Sequence, residues 1–323
     1  MSVGERPDVW ILDRLQPDWE DRVLAEALRD RGLEAEVVDW AELRPAPESH
    51  RLVRGSDVVD PPRAAVVRSR VLTRHTGCDV ALLYDWLGYL EECDVRVVNR
   101  PWSIQRCQNK VWQAAALRRA GVPVPPTRLA SSLADVEAYL EDWQDVVLKP
   151  IYGHASVDMT RIRLGGELAE EGSLLGVREE IAVWHLLERY GVVCAQRFVE
   201  NRDRDVRIVV IGADVVSCHY RLSTAPGGKV KDLLHPYDRQ PALLDDELET
   251  IARAAADALD LELATLDLVE GCDGPVVIEV NPTVSLWQPL VGALDLTESG
   301  ITSAHADLVC TLLDAEHPAV LHT

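Results

Sequence analysis

The chain has 323 residues, 47% of them hydrophobic, with 54 acidic against 33 basic side chains and a net charge of −21. That length holds two or three domains and a sizeable core, no run approaches the ~20 apolar residues of a membrane helix, and the N-terminus lacks the layout of a secretory leader. The charge argues against nucleic acid and membrane surfaces as partners, and seven scattered cysteines without a Cys-x-x-Cys argue for a reducing, cytoplasmic setting and against a disulfide frame or zinc site.

Val9 to Leu12 reads as a short apolar strand. Asp18 to Arg31 reads as an amphipathic helix, with Val23, Leu24, Ala27 and Leu28 on one face and Gly32 closing it. Glu36 to Asp39 and Ala64 to Val67 are further strands. Asp79 to Glu91 is a second helix, and Val95 to Asn99 a last strand. This alternation predicts a parallel sheet, hence an α/β domain over residues 1–100. No Gly-x-Gly-x-x-Gly follows the first strand, which argues against a dinucleotide site. Arg68, Arg70, Arg74 and His75 cluster past the third strand, at the edge where open α/β sheets bind ligands. In a strand from Ala64 to Arg70, positions 68 and 70 share a face. Arg68 and Arg70 are therefore the candidate clamp for an acidic substrate. The alternative is that they pair with the protein's own Asp and Glu.

Ser103 is the expected N-cap of a helix that carries Lys110 and runs to about Ala120. Gly121 and the Pro-rich Val122 to Pro126 end it. Ser131 or Ser132 starts a helix to Trp143. Val146 to Pro150 is a buried strand containing Lys149, and a small-residue loop, Tyr152 to Ser156, leads to a strand at Met159 to Ile162. Strand, lysine and loop together suit a phosphate cradle of backbone N–H groups and an ammonium. Four of the 33 basic residues are lysines (110, 149, 229, 231) and 29 are arginines. A lysine kept within that bias is a candidate for a role that needs a compact charge. Arg178 to Tyr190 is a helix and Val192 to Val199 a strand. Asp205-Val206-Arg207 opens a strand to Ile211, Val215 to Arg221 is another, and 222–243 reads as a loop holding Lys229, Lys231 and His235. Asp245 to Leu259 is a helix.

Then come Leu266-Asp267-Leu268 and Ile278-Glu279-Val280-Asn281-Pro282, each acid flanked by apolar residues in a strand pattern. Gly271 and Gly274 mark the turn of a hairpin. Alternation puts Leu266, Leu268, Ile278 and Val280 on one face and Asp267, Glu279 and Asn281 on the other. Two carboxylates and an amide oxygen are hard ligands that suit Mg²⁺, with Mn²⁺ as an alternative ion. The competing reading is a solvated sheet face.

From about Asn99 to Val309 the order of motifs resembles the ATP-grasp carboxylate–amine ligases, and within them the RimK-like glutamate ligases. The pieces are Asn109-Lys110, Gly121 to Thr127, Val147 to Pro150, Gln196-Arg197-Phe198, Asp205-Val206-Arg207, Leu266 to Leu268 and Ile278 to Pro282. The resemblance implies an ATP-grasp fold that is α/β, turning α+β in the C-terminal part, behind an N-terminal open-sheet domain. The implied units are 1–100, a central subdomain over 101–200 that acts as nucleotide lid, and a C-terminal subdomain over 201–323 with the metal and catalytic site. Lys110 and Lys149 would contact ATP phosphates. Gln196, Arg197 and Phe198 would line the adenine, Asp205 the ribose, and Lys231 a further nucleotide-contacting position. Asp267, Glu279 and Asn281 would hold Mg²⁺, and Arg221 would face the acyl phosphate. The sequence departs from the pattern at Gly153 to Val157, at Lys231-Asp-Leu233 and at Thr283 to Trp287, so substrate contacts are expected to differ more than nucleotide contacts.

The favoured expectation is an ATP-dependent ligase adding L-glutamate to a small carboxylate such as a cofactor side chain, with that carboxylate and the amino acid as its small-molecule partners. A ligase with another amine or a peptide terminus, and a catalytically weak ATP-binding sensor or scaffold, are the alternatives. A homo-oligomer stays open.

Overall fold

The structure is a computed structural model that describes residues 6–14, 18–68, 71–72, 77–153, 157–165, 174–201, 204–223, 237–286 and 298–316. The chain begins β1 (Val9–Asp13), α1 (Trp19–Arg29), β2 (Ala35–Asp39), β3 (Leu43–Ala46), β4 (Arg51–Arg54), β5 (Asp57–Val59), β6 (Ala64–Val67), α2 (Gly77–Glu92) and β7 (Arg96–Val98). Four of these strands make a parallel sheet in the order β2-β1-β6-β7. β3, β4 and β5 form a small antiparallel sheet that the sequence pattern did not announce. α1 starts where its side chains cap it. Asp18 accepts from the Asp21 backbone N–H, and Asp21 accepts in return from that of Asp18.

The expected helix from Ser103 to Ala120 is two helices, α3 (Pro101–Gln108) and α4 (Lys110–Arg119). Asn109 breaks it, because its side-chain oxygen accepts from the N–H groups of Val111 and Trp112 and so caps a new helix. Pro101 occupies the first turn of α3, the position where a missing N–H costs nothing. Ser103 therefore sits inside the helix, buried and bonded to Asp260.

β8 (Thr127–Ala130), α5 (Leu133–Trp143), β9 (Asp145–Pro150), β10 (Thr160–Arg163), α6 (Val177–Tyr190) and β11 (Val193–Arg197) follow. Their strands form an antiparallel sheet in the order β10-β9-β11-β8, packed on α5 and α6. The last stretch holds β12 (Arg204–Ile211), β13 (Asp214–Ser223), β14 (Tyr237–Pro241), α7 (Asp246–Leu259), β15 (Leu263–Gly271), β16 (Gly274–Asn281) and α8 (Glu298–Glu316). Its antiparallel sheet runs β14-β13-β12-β15-β16.

That sheet has two buried faces of different kinds. Val206, Ile208, Leu266, Leu268, Val277 and Val280 pack with the apolar stripe of α7 and with α4. On the other side Val209, Ile211 and Leu263 join a core with α8 and with β1 and α1 of the N-terminal sheet. The C-terminal helix thus ties the five-stranded sheet to the N-terminal parallel sheet. Among the described residues no helix is long and apolar enough to cross a membrane.

α8 also buries a histidine. His305 is 1% exposed, and neither ring nitrogen has a hydrogen-bond partner. Burial, with the nearby Arg68 charge adding to it, pushes the imidazole down from 6.5 to about 3. The folded protein holds it neutral while the unfolded chain protonates it below 6.5, so stability is lost as pH falls from 6.5 toward 3. At pH 5 this loss is about 2 kcal/mol relative to pH 8. His305→Leu should shrink the gap between urea-unfolding free energies at those two pH values by about that amount. An unchanged gap would assign the acid sensitivity to other groups.

Candidate active site

The hairpin β15–β16 carries the centre of the site. Asp267 stands directly opposite Glu279, and Asn281 lies two residues further on. The predicted turn is present, with Gly271 paired to Gly274. Simple alternation fails at one point. A bulge at Ile278 shifts the register, so Leu268 faces Val277 rather than Ile278. Val277 and Val280 enter the core in its place, and Ile278 is released to line a cleft.

That cleft lies between the central sheet, α4 and β16. Lys110, Gln113, Lys149, Cys194, Gln196 and Ile278 line it. Lys110 donates to Glu279 Oε1 at 2.8 Å and to the Gly153 carbonyl at 2.9 Å. Gly153 lies against the Pro150 side chain, from which a Cβ at 153 would stand 3.3 Å. Lys149 donates to Gln196 Oε1 at 2.7 Å. Burial lowers the Lys149 ammonium below its ordinary range, and the Glu279 carboxylate opposes that shift. Burial would raise the Glu279 carboxyl, but the two lysines outweigh it and hold the group below its usual range. Glu279 is therefore ionised at neutral pH.

Asp267 is held from the other side. Arg207 grips it with two bonds of 2.8 and 2.9 Å, and Arg221 reaches it at 3.0 Å. Arg221 also forms a two-bond pair with Asp205. Burial pushes the Asp205 carboxyl up to about 6 against the pull of Arg221. His219 shares this face. It is fully buried, with Nδ1 near Ser217 Oγ at 3.3 Å, and burial followed by the charge of Arg207 brings it down to about 3.

Residues 107–290, more than half of the chain, match the RimK-like ATP-grasp domain. The chain belongs to the RimK-like ATP-grasp family. It is an ATP-grasp ligase, an enzyme that forms carbon–nitrogen bonds. It is similar to a tetrahydromethanopterin:alpha-L-glutamate ligase of Methanosarcina acetivorans, 30% identical over 79% of each chain. Among solved structures it is similar to the D-cycloserine synthetase DcsG, with a TM-score of 0.69 and 21% identity over 94% of this chain and 99% of the other. The ATP-grasp ligase PsnB, complexed with a phosphomimetic variant of a minimal precursor, Mg and ADP, has a TM-score of 0.64 and 19% identity over 94% of this chain and 98% of the other. These two likenesses concern the fold.

ATP-grasp ligases use ATP and Mg²⁺. The ligase offers a donor set that fits the ion. Asp267, Glu279 and Asn281 lie on neighbouring positions of one sheet face, and all three present hard oxygens. A counter-charge already meets each carboxylate, Lys110 at Glu279 and Arg207 at Asp267.

The other expected site residues are spread more widely. Gln196 lines the cleft, whereas Arg197 is exposed beyond it. The Phe198 ring is covered by the Arg161 guanidinium, 3.3 Å from the ring centre. Asp205 and Arg221 are 3% and 1% exposed and lie behind Asp267. Lys231 and Arg70 lie outside the described residues. Arg68 is not at the cleft and is not an open clamp. β6 ends at Val67, and the Arg68 side chain turns into the protein, where it donates to Glu20, Asp21 and the Val284 carbonyl. Arg207 is the residue the sequence reading undervalued. Its spacing of two from Asp205 already placed it on the same strand face.

Proposed function

We propose that the ligase joins the amine of L-glutamate to a carboxylate on a small acceptor, such as a cofactor side chain, through an acyl phosphate. The observation that carries the reading is the Lys110–Glu279 contact of 2.8 Å. It brings an ammonium that lines the cleft, of the kind that binds phosphate, against a carboxylate of the kind that binds metal. The name of the Methanosarcina relative supports the choice of amine and of a cofactor as acceptor.

Lys110 and Lys149 would bind and orient the ATP phosphates. A carboxylate oxygen of the acceptor attacks the γ-phosphorus, and ADP leaves. The glutamate nitrogen then attacks the activated carbon, loses a proton and expels phosphate. Asp267, Glu279 and Asn281 would hold Mg²⁺, which when bound neutralises charge on the phosphates. Arg221 was expected to face the acyl phosphate and so to stabilise charge that develops there. Arg207, with its side chain 12% exposed against 2% for Arg221, is the better-placed arginine for that role.

Turnover is tested by ADP release with L-glutamate, other amino acids and a panel of carboxylates that includes tetrahydromethanopterin and a peptide. Heavy oxygen placed in the acceptor carboxylate should appear in released phosphate. Unlabelled phosphate would exclude the acyl-phosphate route. Turnover with the peptide alone would move the acceptor to peptides, and silence with every pair would leave a nucleotide-binding protein.

A further inference from the structure

The C-terminal edge of the β2-β1-β6-β7 sheet is where an open α/β domain offers a ligand crevice. In this protein a segment of the chain itself is bonded to side chains at that edge. Residues 282–286 leave β16 just after Asn281, and every residue of the segment is held by a hydrogen bond. Asn99 donates to the Pro282 carbonyl at 2.8 Å. Thr265, the cross-strand partner of Asn281, donates to the Thr283 carbonyl at 2.9 Å. Arg68 donates to the Val284 carbonyl at 3.0 Å. Glu20 accepts from Ser285 Oγ at 2.7 Å and from the Leu286 N–H at 3.0 Å.

Three of these four side chains belong to the N-terminal domain, and two of them, Glu20 and Arg68, brace one another. Glu20 accepts from Arg68 at 2.7 Å, and Asp21 holds the Arg68 Nε at 3.1 Å. Asn99 also fixes the start of β15, accepting from the N–H groups of Glu262 and Leu263 and donating to the Leu263 carbonyl. Arg68 is 5% exposed and Asn99 fully buried. A segment of surface chain needs no such investment of buried polar groups, since water satisfies its backbone.

We propose that Arg68 and Glu20 are positioning residues of the ligase. They act on the strap 282–286 and through it fix Asn281, so that the N-terminal domain sets the geometry of the catalytic face. This rests on the reading of Asn281 as a metal ligand. It turns an expected substrate clamp into an internal one, and it gives the N-terminal domain a part in the chemistry that needs no ligand of its own. Arg68 suits the task because its fork meets two carboxylates and a carbonyl at once, which a lysine does not.

The test uses the full chain, with Mn²⁺ and ADP as probes. Glu20→Gln leaves one acceptor oxygen where the carboxylate served Arg68, Ser285 and Leu286. Ser285→Ala removes one exposed contact and carries little risk to folding. Arg31→Gln is the control, because Arg31 pairs with Asp307 at 2.7 Å and joins α1 to α8 without touching the strap. Expected are faster hydrogen exchange of amides 283–286 in both strap variants, and a loss of Mn²⁺ affinity in the presence of ADP of about tenfold for Glu20→Gln. Metal-free ADP affinity should stay unchanged, and the control should alter neither readout. Retention of both strap exchange and Mn²⁺ affinity in Glu20→Gln would overturn the proposal, as would an equal Mn²⁺ loss in Arg31→Gln. Glutamate ligation is read separately as product, so its failure bears on the proposed reaction and not on the strap.

Discussion

Glu279→Gln should abolish turnover while leaving the fold intact. Glu279 is the meeting point of two roles. Its carboxylate accepts from Lys110 at 2.8 Å, and its backbone sits opposite Asp267 in the register of β15 and β16. An amide keeps the shape and can still accept one hydrogen bond, but it carries no charge. Lys110 then loses its carboxylate partner, and Lys149 loses a nearby negative charge. A residue that only orients a metal ligand is worth about 10- to 100-fold, so loss of the ligand's own charge should exceed about 100-fold in kcat. The thermal midpoint should change little, since the side chain is 28% exposed and its apolar neighbours stay packed. Near wild-type ADP release from this variant would remove Glu279 from the metal site.

The hairpin was legible because its signals are local. Apolar residues flank each acid, and glycines stand at 271 and 274, where the chain must reverse. The bulge was not legible. Nothing in Val276-Val277-Ile278 says which of three apolar residues is the extra one; the choice falls to core packing, which takes Val277 and Val280 and frees Ile278 for the cleft. The split at Asn109 lies between these cases. Asparagine is a good cap, yet Cys107-Gln108-Asn109-Lys110 contains no glycine or proline to force a break. The consequence reaches function, because the new helix begins at Lys110 and directs that side chain from its first turn to Gly153 and Glu279.

Long-range pairing is where the sequence is silent. Arg207 and Asp267 are sixty residues apart, and Arg68 meets Val284 across 216. An arginine at the end of an open-sheet strand reads the same whether it faces solvent or a returning segment of its own chain. The small sheet β3-β4-β5 went unread for a related reason. Its strands are short, with Arg44, Pro45, Arg51 and Arg54 among them, so that Leu43 and Leu52, which they bury in the core, stand too far apart in the chain to read as a strand pattern.

The last expectation concerns Lys149. Replacing it by Met should weaken ADP binding by about 30- to 1,000-fold, on the order of 2–4 kcal/mol. Lys149 is 9% exposed, its ammonium rests on Gln196, and burial lowers its pKa. The fold holds a charge there at a cost, and an ion pair with phosphate recovers it. At ~4 Å such a contact is worth about 1 kcal/mol in water but about 4 kcal/mol at an effective dielectric constant near 20. A lysine on the surface has only the first figure to lose. Lys229→Ala, in the stretch that the sequence reads as a loop and outside the described residues, is the comparison, and its loss should be far smaller. Stability should move little in Lys149→Met. Removing a buried charge favours the fold, while the Gln196 oxygen left without its ammonium disfavours it. The pH dependence gives a second reading. Binding needs the protonated ammonium, and its pKa lies below that of an ordinary lysine. ADP affinity should therefore begin to fall at a lower alkaline pH in the wild type than an ordinary lysine would allow, and this fall should vanish in Lys149→Met. Calorimetric titration of ADP across pH measures both. Equal losses at positions 149 and 229 would show that Lys149 does not face the nucleotide.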